Sequence, residues 1–98
     1  MTPLRVAVVG PGRMGAEVRA ALVERGHEAV LVGKKTPFPK DCAVGIDFTR
    51  ADAVPQNVQR ALAAGARYVI GTTGWSDRLE EVQGLVTAAG GGVVHAAN

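Results

Sequence analysis

The sequence has little cysteine: Cys42 is the only one in 98 residues. An internal disulfide is thereby excluded, and a lone thiol fits a reducing compartment, so a cytoplasmic protein is expected. No base or metal ligand stands near Cys42 in the sequence, and it reads as inert. Net charge is also small. The formal net charge is +2, and the basic residues are scattered, with Lys34-Lys35 as their longest run. No nucleic-acid footprint follows from that pattern. No apolar stretch is long enough to span a membrane, so no membrane partner is expected. The first apolar run is short and ends in glycine, unlike a secretory leader. His27 has no second metal ligand near it and reads as a solvated loop residue, and no metal site is expected. Internal repeats and low-complexity segments are missing too.

What remains is an ordinary globular composition, 47% hydrophobic and 20% charged, in a length that suits one small domain. Glycine is the abundant residue, 13 in all, and most of it stands where elements end. The organising stretch is Val6-Ala7-Val8-Val9-Gly10-Pro11-Gly12-Arg13-Met14-Gly15. Four apolar residues read as a buried strand. Gly10, Gly12 and Gly15 then spell G-x-G-x-x-G directly before a helical pattern. Gly10 permits the tight turn, Gly12 leaves room for a pyrophosphate against the backbone, and Gly15 permits close packing of helix on sheet. The helix N-terminus adds unpaired N–H groups and a partial positive charge. The competing reading is a glycine-rich strand–helix turn that binds nothing.

Periodicity and punctuation give the remaining elements. Strands are expected at 4–9, 28–32, 44–48, 67–70 and 93–96. A helix is expected from about 13 to 25, with Met14, Val18, Ala21 and Leu22 inward and Gly26 as its stop. A second runs from about 54 to 64 with Val54, Val58, Ala61 and Leu62 inward and Pro55 in its first turn. A third follows a cap at Ser76 or Asp77, with Leu79, Val82, Val86 and Ala89 inward. Residues 36–43 carry Pro37 and Pro39 and are read as loop. The expected fold is an α/β Rossmann-type doubly wound parallel sheet of about five strands, order 2-1-3-4-5, with helices on both faces. Ligands would bind beyond the carboxyl ends of the strands at the switch point between the first and third.

NAD-preferring domains place an Asp or Glu after the second strand, where it accepts hydrogen bonds from the adenosine ribose. This chain has Gly33-Lys34-Lys35 there. Lys34 and Lys35 could pair with the 2′-phosphate of NADPH, or they could be a solvated loop pair. Trp75 reads as a hydrophobic cover over the site. A lone histidine such as His95 is more often a packing residue than a catalyst.

The glycine stretch, Asp47-Phe48-Thr49, Gly71-Thr72-Thr73-Gly74-Trp75 and His95-Ala96-Ala97-Asn98 occur in this order at strand ends. Together they resemble the amino-terminal domain of the 4-hydroxy-tetrahydrodipicolinate reductase (dihydrodipicolinate reductase) family of bacterial lysine and diaminopimelate biosynthesis. The resemblance implies an oxidoreductase whose cofactor is NADPH or NADH. Gly12, Arg13 and Met14 would contact the pyrophosphate, and Phe48 and Thr49 would lie along the cofactor. Gly71 and Thr73 would sit at the nicotinamide, with Thr73 also reaching the substrate. Ala96 to Asn98 resembles the segment at which the family's chain leaves for a second domain, with Ala97 in place of a proline. That second domain carries the family's catalytic histidines and lysine and its tetramer interface, and nothing like its motif occurs here. Residues 1–98 would thus be a dinucleotide-binding domain, catalytically incompetent alone, with a docking surface uncovered near Gly71–Trp75 and 96–98. The alternative is a stand-alone NAD(P)-binding regulatory module without catalysis.

Overall fold

Short apolar runs that stop at glycine form the strands, and the longer amphipathic stretches between them form the helices. The computed structural model describes residues 3–10, 12–33, 35–90 and 93–95. Strand β1 (Arg5–Val9) leads to α1 (Arg13–Glu24) and β2 (Glu28–Val32). Then come β3 (Val44–Asp47), α2 (Val54–Ala63), β4 (Arg67–Ile70), α3 (Leu79–Ala89) and β5 (Val93–His95). Single 3₁₀ turns at Ala51–Ala53 and Ser76–Arg78 lead into α2 and α3. All pairings are parallel, in the expected order β2-β1-β3-β4-β5. The crossover through α1 runs one way from β1, and those through α2 and α3 run the other way. Right-handed crossovers of opposite direction put their helices on opposite faces. Accordingly α1 packs on β1 and β2, while α2 packs on β3, β4 and α3.

Strand register shows what each face buries. Val32, Val9, Asp47 and Ile70 are paired neighbours across the sheet, as are Val30, Ala7, Gly45 and Tyr68. Both rows face α2 and α3. Ala7, Val9, Val32, Tyr68 and Ile70 join Val54, Val58, Ala61 and Val82 in one core cluster. Gly45 is required by the second row, because a Cβ there would come within 2.7 Å of the Tyr68 ring. Among its described residues the loop between β2 and β3 has no helix, as its prolines predict. It closes this face with Phe38, edge-on to Tyr68 at 6.3 Å, and with buried Cys42. Burial pushes the Cys42 thiol pKa up, against the lowering effect of nearby Arg5.

Several expectations need correction. On α1, Val18 and Leu22 are half-buried, but Ala21 is exposed and Met14 is 54% exposed. Gly15 takes the inward position there, and a helix turns about 100° per residue, so Met14 points away. Neither Ser76 nor Asp77 caps α3. Both lie in the 3₁₀ turn, and Arg78 occupies the cap position without a side-chain hydrogen bond. On α3, Val82 is buried and Leu85 and Val86 pack on the core, while Leu79 and Ala89 are exposed. Trp75 is buried in the core cluster and so does not cover a site. His27 is half-buried, and its Nδ1 accepts a hydrogen bond from the Leu4 N–H at 3.0 Å, tying the start of β2 to that of β1. The exposed large apolar residues are Leu79, just beyond the Gly71–Trp75 loop, and Leu4, Met14, Val23 and Leu31 in and near α1, β1 and β2. Residues 96–98 lie outside the described residues.

Candidate functional site

The carboxyl ends of the strands meet in a cleft of about 490 Å³. Val9, Gly10 and Gly12 line it from the β1–α1 loop, and Val32 and Gly33 from the end of β2. Phe48, Thr49 and Arg50 follow from the end of β3, and Asp52, Gln56, Asn57 and Arg60 from the turn and helix beyond. This is the switch point, since β1 and β3 are adjacent and their connections depart in opposite directions.

The glycine loop is tight on two sides and open on the third. Gly10 has φ +112°, and a Cβ on it would approach the Phe48 carbonyl oxygen within 2.5 Å. A Cβ on Gly15 would collide with the Gly10 carbonyl oxygen, so the helix can start only because Gly15 is bare. Around Gly12, by contrast, a Cβ would meet nothing within 4 Å. Gly12 is the N-cap of α1, with no side-chain hydrogen bond to the first amides and no acid in the first turn. The first intrahelical bond runs from the Ala16 N–H to the Gly12 carbonyl at 3.0 Å. Amides ahead of it are uncapped by side chains and attract an anion.

The opposite wall is built on Asp47, which is fully buried. Its Oδ1 accepts hydrogen bonds from the Thr49 N–H (2.9 Å), the Thr49 hydroxyl (2.6 Å) and the Thr72 hydroxyl (2.8 Å). Its Oδ2 accepts from the Tyr68 hydroxyl (2.7 Å) and the Asn57 amide (3.3 Å). A carboxylate with this many donors is well satisfied in the interior. Burial first, and the Asp47 charge and hydrogen bond second, push the Tyr68 phenol pKa far up. The network ties the loop after β3 to the loop after β4, because Thr49 belongs to one and Thr72 to the other. The Phe48 N–H donates to the Val9 carbonyl (2.9 Å) and the Gly71 N–H to the Asp47 carbonyl (2.8 Å), so both loops continue the sheet's ladder.

Of the residues singled out in the sequence, the cleft gathers Gly10, Gly12, Phe48 and Thr49. Gly15 is buried behind the loop, and Arg13 and Met14 are exposed on the first turn of α1. Lys35 is exposed, and Lys34, Ala96 and Asn98 lie outside the described residues. Gly71 is not in the cleft wall but beneath it, where a Cβ would strike the Phe48 ring at 2.5 Å. Thr73 is exposed in the loop beyond β4. Sequence reasoning missed Asn57, Tyr68 and Thr72 as partners of Asp47, and Arg60 and Gln56 as wall residues. One signal was available: Asn57 falls within the apolar stripe of Val54, Val58 and Ala61, and a polar residue there needs a buried partner.

A parallel sheet in this order, with a glycine loop and an uncapped helix at its switch point, defines the Rossmann-type class of α/β domains. Solved structures share the fold. A dipicolinate-bound dihydrodipicolinate reductase from Paenisporosarcina sp. TG-14 matches 97% of this chain and 47% of its own at TM-score 0.70 and 19% identity. A WlbA dehydrogenase from Chromobacterium violaceum, solved with NADH and UDP-GlcNAcA, matches 96% of this chain and 35% of its own at TM-score 0.69 and 20% identity. Sequence narrows the class. Residues 4–98 match the family described as dihydrodipicolinate reductase, N-terminus, and the chain belongs to that family. The 4-hydroxy-tetrahydrodipicolinate reductase of Natronomonas pharaonis is 40% identical over 90 residues, which cover 76% of this chain and 37% of that protein. The chain thus spans well under half the length of that relative. Among the described residues, no helix is long and apolar enough to cross a membrane, and no cluster of potential ligands could hold a metal ion.

Proposed function

We propose that this chain is the cofactor-binding part of a 4-hydroxy-tetrahydrodipicolinate reductase, and that its cleft binds NADPH in preference to NADH. The bound nicotinamide would supply a hydride to the cyclic substrate. The open backbone at Gly12 is the observation that carries this reading. Gly10 and Gly15 are needed by the fold itself, since a Cβ on either meets backbone, whereas nothing in the fold requires a glycine at 12. A diphosphate against the backbone does require it. Under this reading Gly12, Arg13 and Met14 hold the diphosphate through the loop and its amides. Phe48 and Thr49 form the wall along the ribose and nicotinamide, and Asp47 holds them there. Gly71 lets Phe48 settle, and Thr73 reaches toward the nicotinamide and substrate, with Ala96 and Asn98 beyond. Lys34 and Lys35 follow β2 where the adenosine ribose would lie, with no carboxylate to repel a 2′-phosphate.

Among the described residues the cleft wall contains one carboxylate, Asp52, ion-paired at 3.8 Å with Arg50 in solvent, and no histidine. On this reading the family's second domain would supply the group that protonates the substrate. Titration calorimetry with NADPH and NADH, alongside a reductase assay of the purified chain, tests the reading. Saturable binding of both, tighter for NADPH at low salt and without turnover, is expected. Turnover by these residues alone would place a catalytic group inside them and refute the division of labour.

A further inference from the structure

The cations in the cleft wall, Arg50 and Arg60, and Lys35 beyond it differ in how they are held. Arg50 has a side chain 88% exposed and faces Asp52, and Lys35 stands in solvent. Arg60, in the last turn of α2, is half-buried and lines the cleft. One guanidinium N–H donates to Asn57 Oδ1 at 3.3 Å, and another donates to the Thr36 carbonyl. Asn57 is fixed in turn, its amide donating to Asp47 Oδ2 at 3.3 Å and to Thr49 Oγ1 at 3.2 Å. Thr36 is held as well, its N–H donating to the Gly33 carbonyl at 3.2 Å. The guanidinium is thus anchored beside the turn that ends β2. No carboxylate forms an ion pair with it among the described residues. Its remaining N–H donors are pre-arranged in a rigid planar fork, the geometry that matches a phosphate.

In a Rossmann-type domain the end of β2 borders the adenosine ribose. Building on the dinucleotide reading above, we propose that Arg60 binds the 2′-phosphate of NADP(H) and is the residue that sets cofactor preference, ahead of the exposed lysines. An anchored guanidinium loses little freedom when it binds, whereas a solvated lysine must be ordered for each contact. A residue that only pinned the 33–43 loop, or only stacked on adenine, would affect NADPH and NADH alike. Arg60 as a 2′-phosphate ligand affects one and spares the other.

The test is a set of dissociation constants for NADPH, NADH, 2′,5′-ADP and 5′-AMP, measured by calorimetry on wild type, Arg60→Gln, Arg60→Lys and Lys35→Ala. Circular dichroism confirms the fold of each. Arg60→Gln is expected to weaken NADPH and 2′,5′-ADP by about tenfold to a hundredfold while leaving NADH and 5′-AMP unchanged. Arg60→Lys, which keeps the charge and loses the fork, should fall between, and Lys35→Ala should weaken NADPH less than Arg60→Gln does. If Arg60→Gln is too unstable to titrate, the selective loss in Arg60→Lys decides. Parallel losses for NADPH and NADH, or an unchanged ratio between them, overturn the assignment while leaving the dinucleotide reading in place. A wild-type chain that binds none of the four overturns both.

Discussion

The two faces of the sheet are covered very differently. On one, α2, α3, Phe38 and Trp75 bury a continuous core, with Val54, Val58, Ala61 and Ile70 at no measurable exposure. On the other, α1 alone lies over β1 and β2, and Gly15 is its one buried residue. Val44, Ile46 and Val69, in register with Val6 and Val8 on that face, are only half-buried, and Leu31 is exposed. The site straddles the two. Its wall, from Asp47 to Arg60, belongs to the dense face and inherits fixed positions from it. Its glycine loop belongs to the thin face, where a change at Gly12 disturbs no packing. Stability and phosphate recognition therefore rest on separable residues, and mutations can distinguish them.

The largest effect is expected from Asp47→Ala. Tyr68 would keep a buried hydroxyl without an acceptor, at about 1–3 kcal/mol, and Asn57 and Thr72 would each lose one of two acceptors. With the two Thr49 hydrogen bonds to Oδ1 lost as well, this is a large fraction of the stability of a small domain. Chemical denaturation should show a domain unfolded or barely folded in water, and a midpoint near wild type would mean the network is ornamental. Next comes a matched pair across the sheet. Ile70→Ala on the dense face should cost about 2–5 kcal/mol, and Met14→Ala on the thin face less than about 0.5 kcal/mol. Similar denaturant midpoints for the two would dissolve the comparison.

A smaller effect grows with pH. An unfolded tyrosine ionises near pH 10, whereas native Tyr68 holds its proton well above that, because burial and Asp47 oppose the phenolate. Above pH 10 the unfolded chain binds fewer protons than the native one. Stability then falls by about 1.4 kcal/mol for each further pH unit, and the group contributes nothing below pH 10. The chain has a single tyrosine, so tyrosinate absorbance reports Tyr68 alone. It should rise together with alkaline unfolding seen by circular dichroism. A rise near pH 10 with the native spectrum intact would contradict the burial of the phenol.

These comparisons also show what a sequence makes legible. Elements and strand order could be read because their signals are local: apolar runs, helical spacing and glycine stops, joined by the right-handed crossover rule. Gly10, Gly12 and Gly15 could be read because one short stretch carries their geometry. The Asp47 network could not, since Tyr68 and Thr72 reach it from 21 and 25 residues away. No spacing rule predicts that convergence. Trp75 and Met14 were misplaced for a related reason. Hydrophobicity indicates that a side chain prefers to be covered, and only the assembled neighbours decide whether it is.

A diphosphate lying over Gly12 is tested most directly by calorimetric titration of NADPH into wild type and Gly12→Val. The valine would project into space that no protein atom occupies within 4 Å, so circular dichroism and the denaturation midpoint should stay near wild type. Binding should fall by at least about a hundredfold, since the same space must hold the diphosphate. Wild-type affinity in the folded variant would contradict the claim, and the loop would then be only the turn from β1 into α1.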